Sequence, residues 1–257
     1  YSDLGDFGES CIIRVSINQL LGQKFWLSLG ICLTALILAY SIAIPAGILS
    51  ASSTNPVLNN SIRFFSYMGL AMPNFLLALM IMLLSTVLFG DSLTGLFSKE
   101  FRDAAWSWAR VRDFLSRAWL PIFILGWSAT AFALQTVRAL MADENGKLYV
   151  TAARARGVSG TKLVMRYPAR HALAPIINSL GFDLNRVFNE LPIVALILVL
   201  TESGALLIEA LARSNDQQLA GAIIFMLTAS IVTLNFVTDI LLALIDPRIW
   251  KSVIGGG

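Results

Sequence analysis

The chain has 257 residues, of which 56% are hydrophobic and only 14% are Asp, Glu, Lys or Arg, with a formal charge of +3. A soluble domain carries about 45–50% apolar and about 25% charged residues, so disorder, nucleic-acid binding and a disulfide-stapled secreted module are excluded together. With a mean hydropathy of +0.72, this is the composition of an integral membrane protein.

Residues 1–24 are polar, with Asp3, Asp6, Glu9, Arg14 and Lys24. Acids come first and a basic n-region is absent, so this is no signal peptide but an extracytoplasmic N-terminal segment. The chain begins with Tyr1 rather than Met, and an upstream part is expected to be missing.

Five apolar stretches follow, at about 25–49, 62–90, 119–142, 175–200 and 219–245. Each reaches the roughly 20 residues that a helix needs to cross a bilayer. They are too long and too poorly alternating for barrel strands. A helix pairs its own backbone groups in lipid, so the fold class is all-α, a polytopic membrane protein with five transmembrane helices in residues 25–245. In the first stretch Ala35, Ala39, Ala43 and Gly47 recur every four residues and should let a neighbouring helix approach closely. Cys11 and Cys32 are expected to be unpaired. The second stretch carries Ala71-Met72-Pro73-Asn74. Pro73 lacks a backbone donor and clashes with the preceding turn, which predicts a kink or break. That break is either a functional hinge or a tolerated membrane proline.

In residues 99–118, Phe101, Ala104, Trp108, Val111 and Leu115 fall at helical spacing opposite Arg102, Arg110, Asp113 and Arg117. This predicts an amphipathic surface helix, with Trp106 and Trp108 at headgroup level, or one packed on the protein's own outer face.

The loop at 143–174 has helix formers up to Arg156, then Gly157, where a helix can end, and Ser159, which can cap a second helix. This is a helix–turn–helix rich in basic residues. Val150, Val158, Leu163, Val164 and Met165 make it too apolar for a solvated linker. It either docks on a soluble partner or folds back on the protein's own spans. Alternation puts this loop, the 50–61 turn and the 246–257 tail on one side, with nine Lys and Arg against eight on the other. The eight are diluted by acids, so the loop side is taken as cytoplasmic.

The fourth stretch holds Asp183, Asn185, Arg186, Asn189 and Glu190. A charge at bilayer depth costs at least about 2.5–3.5 kcal/mol. At about 100° per residue Asp183, Arg186 and Glu190 share a face, and Arg186 can pair with either acid. The set is either a water-filled path that contacts a polar solute or a self-neutralised buried cluster. Pro192 is placed to bend this helix.

Other patterns lead nowhere. Gly157-Val158-Ser159-Gly160 matches the Gly-x-Ser-Gly of rhomboid-type proteases, but the sole histidine, His171, lies in the same loop. One His and two Cys do not make a metal site. No Gly-x-x-x-x-Gly-Lys-Ser/Thr occurs, so no ATP site is expected on this chain.

The 149–175 block resembles the Glu-Ala-Ala loop of permease subunits of bacterial ABC importers. Ala152, Ala153 and Gly157 match its core. Gly157 to Pro175, with Arg166 and Arg170-His171-Ala172-Leu173-Ala174-Pro175, resembles the dipeptide/oligopeptide/nickel subgroup. Asp3-Leu4-Gly5, Gly69-Leu70-Ala71-Met72-Pro73-Asn74-Phe75 and Asp239 through Asp246-Pro247-Arg248-Ile249 resemble further passages of that family. Thr151 stands where the family has an acidic residue, and Thr201-Glu202-Ser203-Gly204 replaces a Trp-Pro-Gly-Leu-Gly-like turn.

The resemblance implies a type I ABC importer permease fold, with six spans counting a missing N-terminal one, in a bacterial inner membrane. It implies a coupling helix that docks on an ATPase through Ala152, Ala153, Arg156, Gly157, Leu163 and Arg166. Within such a permease, the polar set Asp183, Arg186, Asn189 and Glu190 is read as a translocation path between two subunits, and Pro73 as a hinge. The partners implied are a second homologous permease as a heterodimer, two cytoplasmic ATPases and an extracytoplasmic binding protein. ATP and Mg would sit on the ATPases, with no cofactor and no catalysis on this chain, and the solute would be peptide-like or another small polar molecule. The rival expectation is an ion-driven transporter or channel using Asp183, Arg186 and Glu190.

Overall fold

The computed structural model describes residues 16–89, 95–98, 100–101, 105–198, 200 and 216–245. The segment 1–15, with Cys11, the Thr201–Gly204 turn and the 246–257 tail lie outside the described residues, as do Lys99 and Arg102. Among the described residues the elements are helices: α1 (Ile17–Ser52), α2 (Pro56–Ala71), α3 (Asn74–Phe89), α4 (Trp108–Asn145), α5 (Leu148–Ala155), α6 (Gly160–Arg166), α7 (Pro168–Ile197) and α8 (Gln217–Ile245).

Local chemistry sets the boundaries. After α1, Asn55 Oδ1 accepts from the backbone N–H of Val57 at 3.0 Å and Leu58 at 3.4 Å. Asn55 is thus an N-cap with Pro56 at the first helical position, where a missing N–H does no harm. The second helix therefore starts at Pro56 rather than near residue 62. It breaks at Met72–Pro73, and α3 starts afresh, with Leu76 N–H and Leu77 N–H donating to Pro73 O at 3.0 and 3.1 Å. At α8, Asp216 Oδ1 accepts from Leu219 N–H at 3.0 Å.

The expected surface helix over 99–118 is corrected. Residues 105–107 are not helical, and the helix that begins at Trp108 runs unbroken to Asn145. Ser107 caps it, its Oγ accepting from Arg110 N–H at 3.3 Å. No glycine separates Trp108 from the third apolar stretch, so the amphipathic turns are the start of a long helix. Similarly, α7 continues past Pro175 and Pro192 to Ile197.

Phe25–Ser52 of α1 and Trp108–Asn145 combine the length and apolar character that a membrane crossing needs, and the pair Pro56–Ala71 and Asn74–Leu88 makes a third if counted as one broken span. Helices α7 and α8 have the length, at 30 and 29 residues, but α7 carries the three charges. Large apolar side chains face outward, among them Trp26 at 67% and Val87 at 71% exposure. In a bilayer that surface meets lipid.

Two compact units share the chain. One comprises Tyr1–Leu36, Met72–Trp127 and Arg186–Ser230, the other Ile37–Ala71, Ser128–Asn185 and Ile231–Gly257. The first draws its core from Ile31 and Cys32, Ile124 and Leu125, and Phe188 and Leu191. Cys32 is a free thiol. Here α1 and α4 lie close, since a Cβ on Gly126 would stand 3.4 Å from the Ala35 carbonyl oxygen. In the second unit Ala39 and Ala43 are buried, and a Cβ on Gly47 would come within 2.7 Å of Val137. The four-residue stripe thus faces α4 in each unit.

Candidate functional site

The α5–α6 hairpin is a compact turn. Arg156 ends α5, and Gly157 takes φ +83°. Gly157 N–H donates to Arg154 O at 2.9 Å and Val158 N–H to Ala153 O at 3.2 Å. These two bonds form a Schellman motif, which satisfies carbonyls at the helix end and favours glycine at the left-handed position. Gly160 is also left-handed, at φ +62°. Nothing lies within 4 Å of a Cβ built on either glycine, so backbone conformation rather than crowding calls for them. Ser159 takes the extended N-cap conformation before α6 without a side-chain capping bond.

Val150, Ala153 and Leu163 form the hairpin's own buried cluster, with Tyr149, Val158 and Tyr167 packed on it. Much of the apolar character that suggested docking is therefore internal. Outward lie Ala152, Arg156, Gly157 and Arg166. Met165 is 51% and Leu148 86% exposed. Of the six residues expected in coupling, four form a surface and two, Ala153 and Leu163, hold that surface together.

The hairpin is tied to the end of α4. Tyr149 donates its hydroxyl to Glu144 Oε2, and Lys147 Nζ meets Glu144 Oε1 at 2.5 Å. The Tyr149 ring stands edge-on to His171, 5.2 Å between centroids. Burial first, and then the bond to Glu144, pushes the Tyr149 phenol well above its ordinary value, so it stays a neutral donor.

On α7 the acids have neutral partners that the sequence did not point to. In the second unit, Asp183 is buried and accepts from the Tyr40 hydroxyl. The Tyr40 oxygen also lies 3.3 Å from Ser179 Oγ. In the first unit, Glu190 Oε2 accepts from Asn74 Nδ2, at the start of α3. Arg186 is half-buried and Asn189 exposed. Tyr40 is the one phenol in the first apolar stretch, and Asn74 follows the proline of Met-Pro-Asn. Those were the available signals.

Arg110 corrects another expectation. Helical spacing puts it on a polar face, yet it is buried, its guanidinium 4.7 Å from the Phe97 ring centroid and 4.6 Å from that of Trp106. Nearby, Asp113 Oδ2 accepts from Ser98 N–H at 2.7 Å.

Residues 43–251 match the family of binding-protein-dependent transport system inner membrane components. The chain belongs to that family. It is a permease component of a binding-protein-dependent transporter in a membrane. It is 28% identical over 249 residues to the oligopeptide transport system permease protein AppB of Bacillus subtilis (strain 168), covering 95% of this chain and 76% of that protein. It is 25% identical over 264 residues to the dipeptide transport system permease protein DppB of Escherichia coli (strain K12), at 95% and 77% coverage. In fold it is similar to a chain of the MetNI methionine ABC transporter in an inward-facing conformation, with a TM-score of 0.69, 15% identity, and coverage of 89% of this chain and 97% of that one.

Proposed function

We propose that this permease forms part of the path by which an ATP-driven importer moves a peptide-like or other small polar solute across a bacterial inner membrane. It couples to separate ATPase subunits through the α5–α6 hairpin. The observation that carries this reading is the hairpin: a packed two-helix turn that presents Ala152, Arg156, Gly157 and Arg166 outward over a buried Ala153–Leu163 core. Such a unit can transmit a push without deforming. Arg186, Asn189 and Glu190 contribute the polar lining of the path, Asp183 is held buried against Tyr40, and Pro73 is the hinge at which the broken span adjusts. A second, homologous permease completes the path as a heterodimer, two ATPases hold ATP and Mg, and an extracytoplasmic binding protein delivers the solute. No bond is made or broken on this chain. The peptide class comes from AppB and DppB, which are peptide permeases by name.

The test is Gly157→Asp in the reconstituted complex. A side chain at φ +83°, placed on the outward surface, should abolish transport-coupled ATP hydrolysis while binding-protein docking persists. Unchanged hydrolysis would sink the coupling assignment.

A further inference from the structure

A groove of about 810 Å3 lies in the second unit between the end of α1, the α1–α2 turn and the α5–α6 hairpin. Its apolar lining includes Ile48, Leu49 and Val164, and Arg154 stands in it together with the hydroxyls of Ser53 and Thr161. Neither the coupling surface nor the α7 polar residues account for this groove.

We propose that the groove seats one anionic phospholipid of the cytoplasmic leaflet, its phosphate at Arg154 and one acyl chain along Ile48, Leu49 and Val164. The inference rests on the reading that α5–α6 faces the cytoplasm. Three observations select this occupant. The groove's lining is amphiphilic and holds a cation and hydroxyls but no acid. Lys147 is neutralised by Asp143 and Glu144, but from Leu148 to Phe182 the sequence has Arg154, Arg156, Lys162, Arg166 and Arg170 and no Asp or Glu, so the local field favours an anion. The floor is also continuous with the outward face of a membrane-spanning helix. Leu49 is 55% exposed, and Ile42, one heptad earlier on the same face, is 57% exposed. A chain in the bilayer can enter along that track without crossing water. Basic pockets beside spanning helices at the cytoplasmic face take anionic headgroups for the same reason. The bound lipid braces the inner flank of the hairpin and leaves Arg156 and Arg166 free for the ATPase.

The experiment is native mass spectrometry of the full transporter, purified from membranes containing phosphatidylglycerol and phosphatidylcholine and washed in detergent. The expected result is one phosphatidylglycerol retained per copy of this chain, with phosphatidylcholine washed away. Arg154→Gln should lower that retention about five-fold, the loss expected for one interfacial cation. Val164→Trp should lower it by filling the groove, and Ser53→Trp serves if the first tryptophan prevents assembly. Equal retention of the two lipids would overturn the proposal. So would phosphatidylglycerol retention unchanged by both Arg154→Gln and a groove-filling tryptophan, or crosslinking of a Val164→Cys variant to an ATPase chain. Lipid is weighed directly and not through ATP hydrolysis, so failure of the coupling assignment and failure of this proposal give different results.

Discussion

Asn74, the first residue of α3, donates its side-chain amide to Glu190 of α7, 116 residues further on. The residue that restarts the broken helix is thereby held by one of the charged positions expected in the path. A proline break alone leaves a helix start free to wander, whereas an amide–carboxylate bond fixes where it resumes. Asn74→Leu should therefore lower the thermal stability of the detergent-solubilised complex by about 0.5–2 kcal/mol, the range for side-chain hydrogen bonds between membrane helices. Glu190→Leu should reduce transport more than it reduces assembly with the ATPase, while Glu190→Gln, which still accepts from Asn74, should fall between. Normal transport by Glu190→Leu would show that the carboxylate only holds structure.

Tyr40→Phe keeps the ring and removes only the oxygen that serves Asp183 and Ser179. Loss of the phenol takes a donor away from a buried carboxyl group. The expected loss is again about 0.5–2 kcal/mol, read as an earlier unfolding midpoint in a thermal-shift assay. An unchanged midpoint would mean that Asp183 does not depend on this hydroxyl.

The helices themselves were legible from composition, since apolar runs in lipid have few alternatives. The Pro73 break and the Gly157 turn were legible because a ring without an N–H and a residue without a Cβ restrict the backbone locally. Helix starts depart from the apolar runs where a capping residue lies upstream of them. Asn55-Pro56 and Ser107 are both local signatures, and they moved α2 and α4 by several residues. The partners of Asp183 and Glu190 were not legible, because Tyr40 and Asn74 lie 143 and 116 residues away in sequence. Helical periodicity says which residues share a face, not what meets that face. Arg110 failed for the same reason. Its charge reads as solvent-facing until Phe97, thirteen residues earlier, supplies a ring.

Gly47 tests how closely α1 and α4 pack. A methyl added there would stand 2.7 Å from both Cβ and Cγ1 of Val137 and 3.1 Å from the Leu134 carbonyl. Gly47→Ala should cost about 1–3 kcal/mol through overpacking, even though alanine is the better helix former. Val137→Ala removes the Cγ1 contact and leaves the one at Cβ. The two changes should couple favourably, by about 0.5–1 kcal/mol in a double-mutant cycle, even though truncating the buried Val137 carries a cost of its own. Strict additivity would place the strain in the contacts that remain, at Val137 Cβ and the Leu134 carbonyl.

Arg110 gives the most discriminating substitution. Two aromatic faces hold a planar, always charged guanidinium, and the Phe97 and Trp106 rings stand 6.2 Å apart at 76°. A planar cation can stack where a lysine ammonium is a hydrated point charge. Arg110→Lys should therefore destabilise measurably, by about 1 kcal/mol, although charge is kept, and Arg110→Met should show whether charge or packing dominates. If cation–π attraction dominates, Met falls below Lys. If burial of the side chain between the rings dominates, Met equals or exceeds Lys, because a thioether packs well against aromatic edges. Trp106 fluorescence reports the same event independently, since opening the stack changes the solvent exposure of its indole. A variant that loses stability with no change in that emission would place the loss outside this cluster.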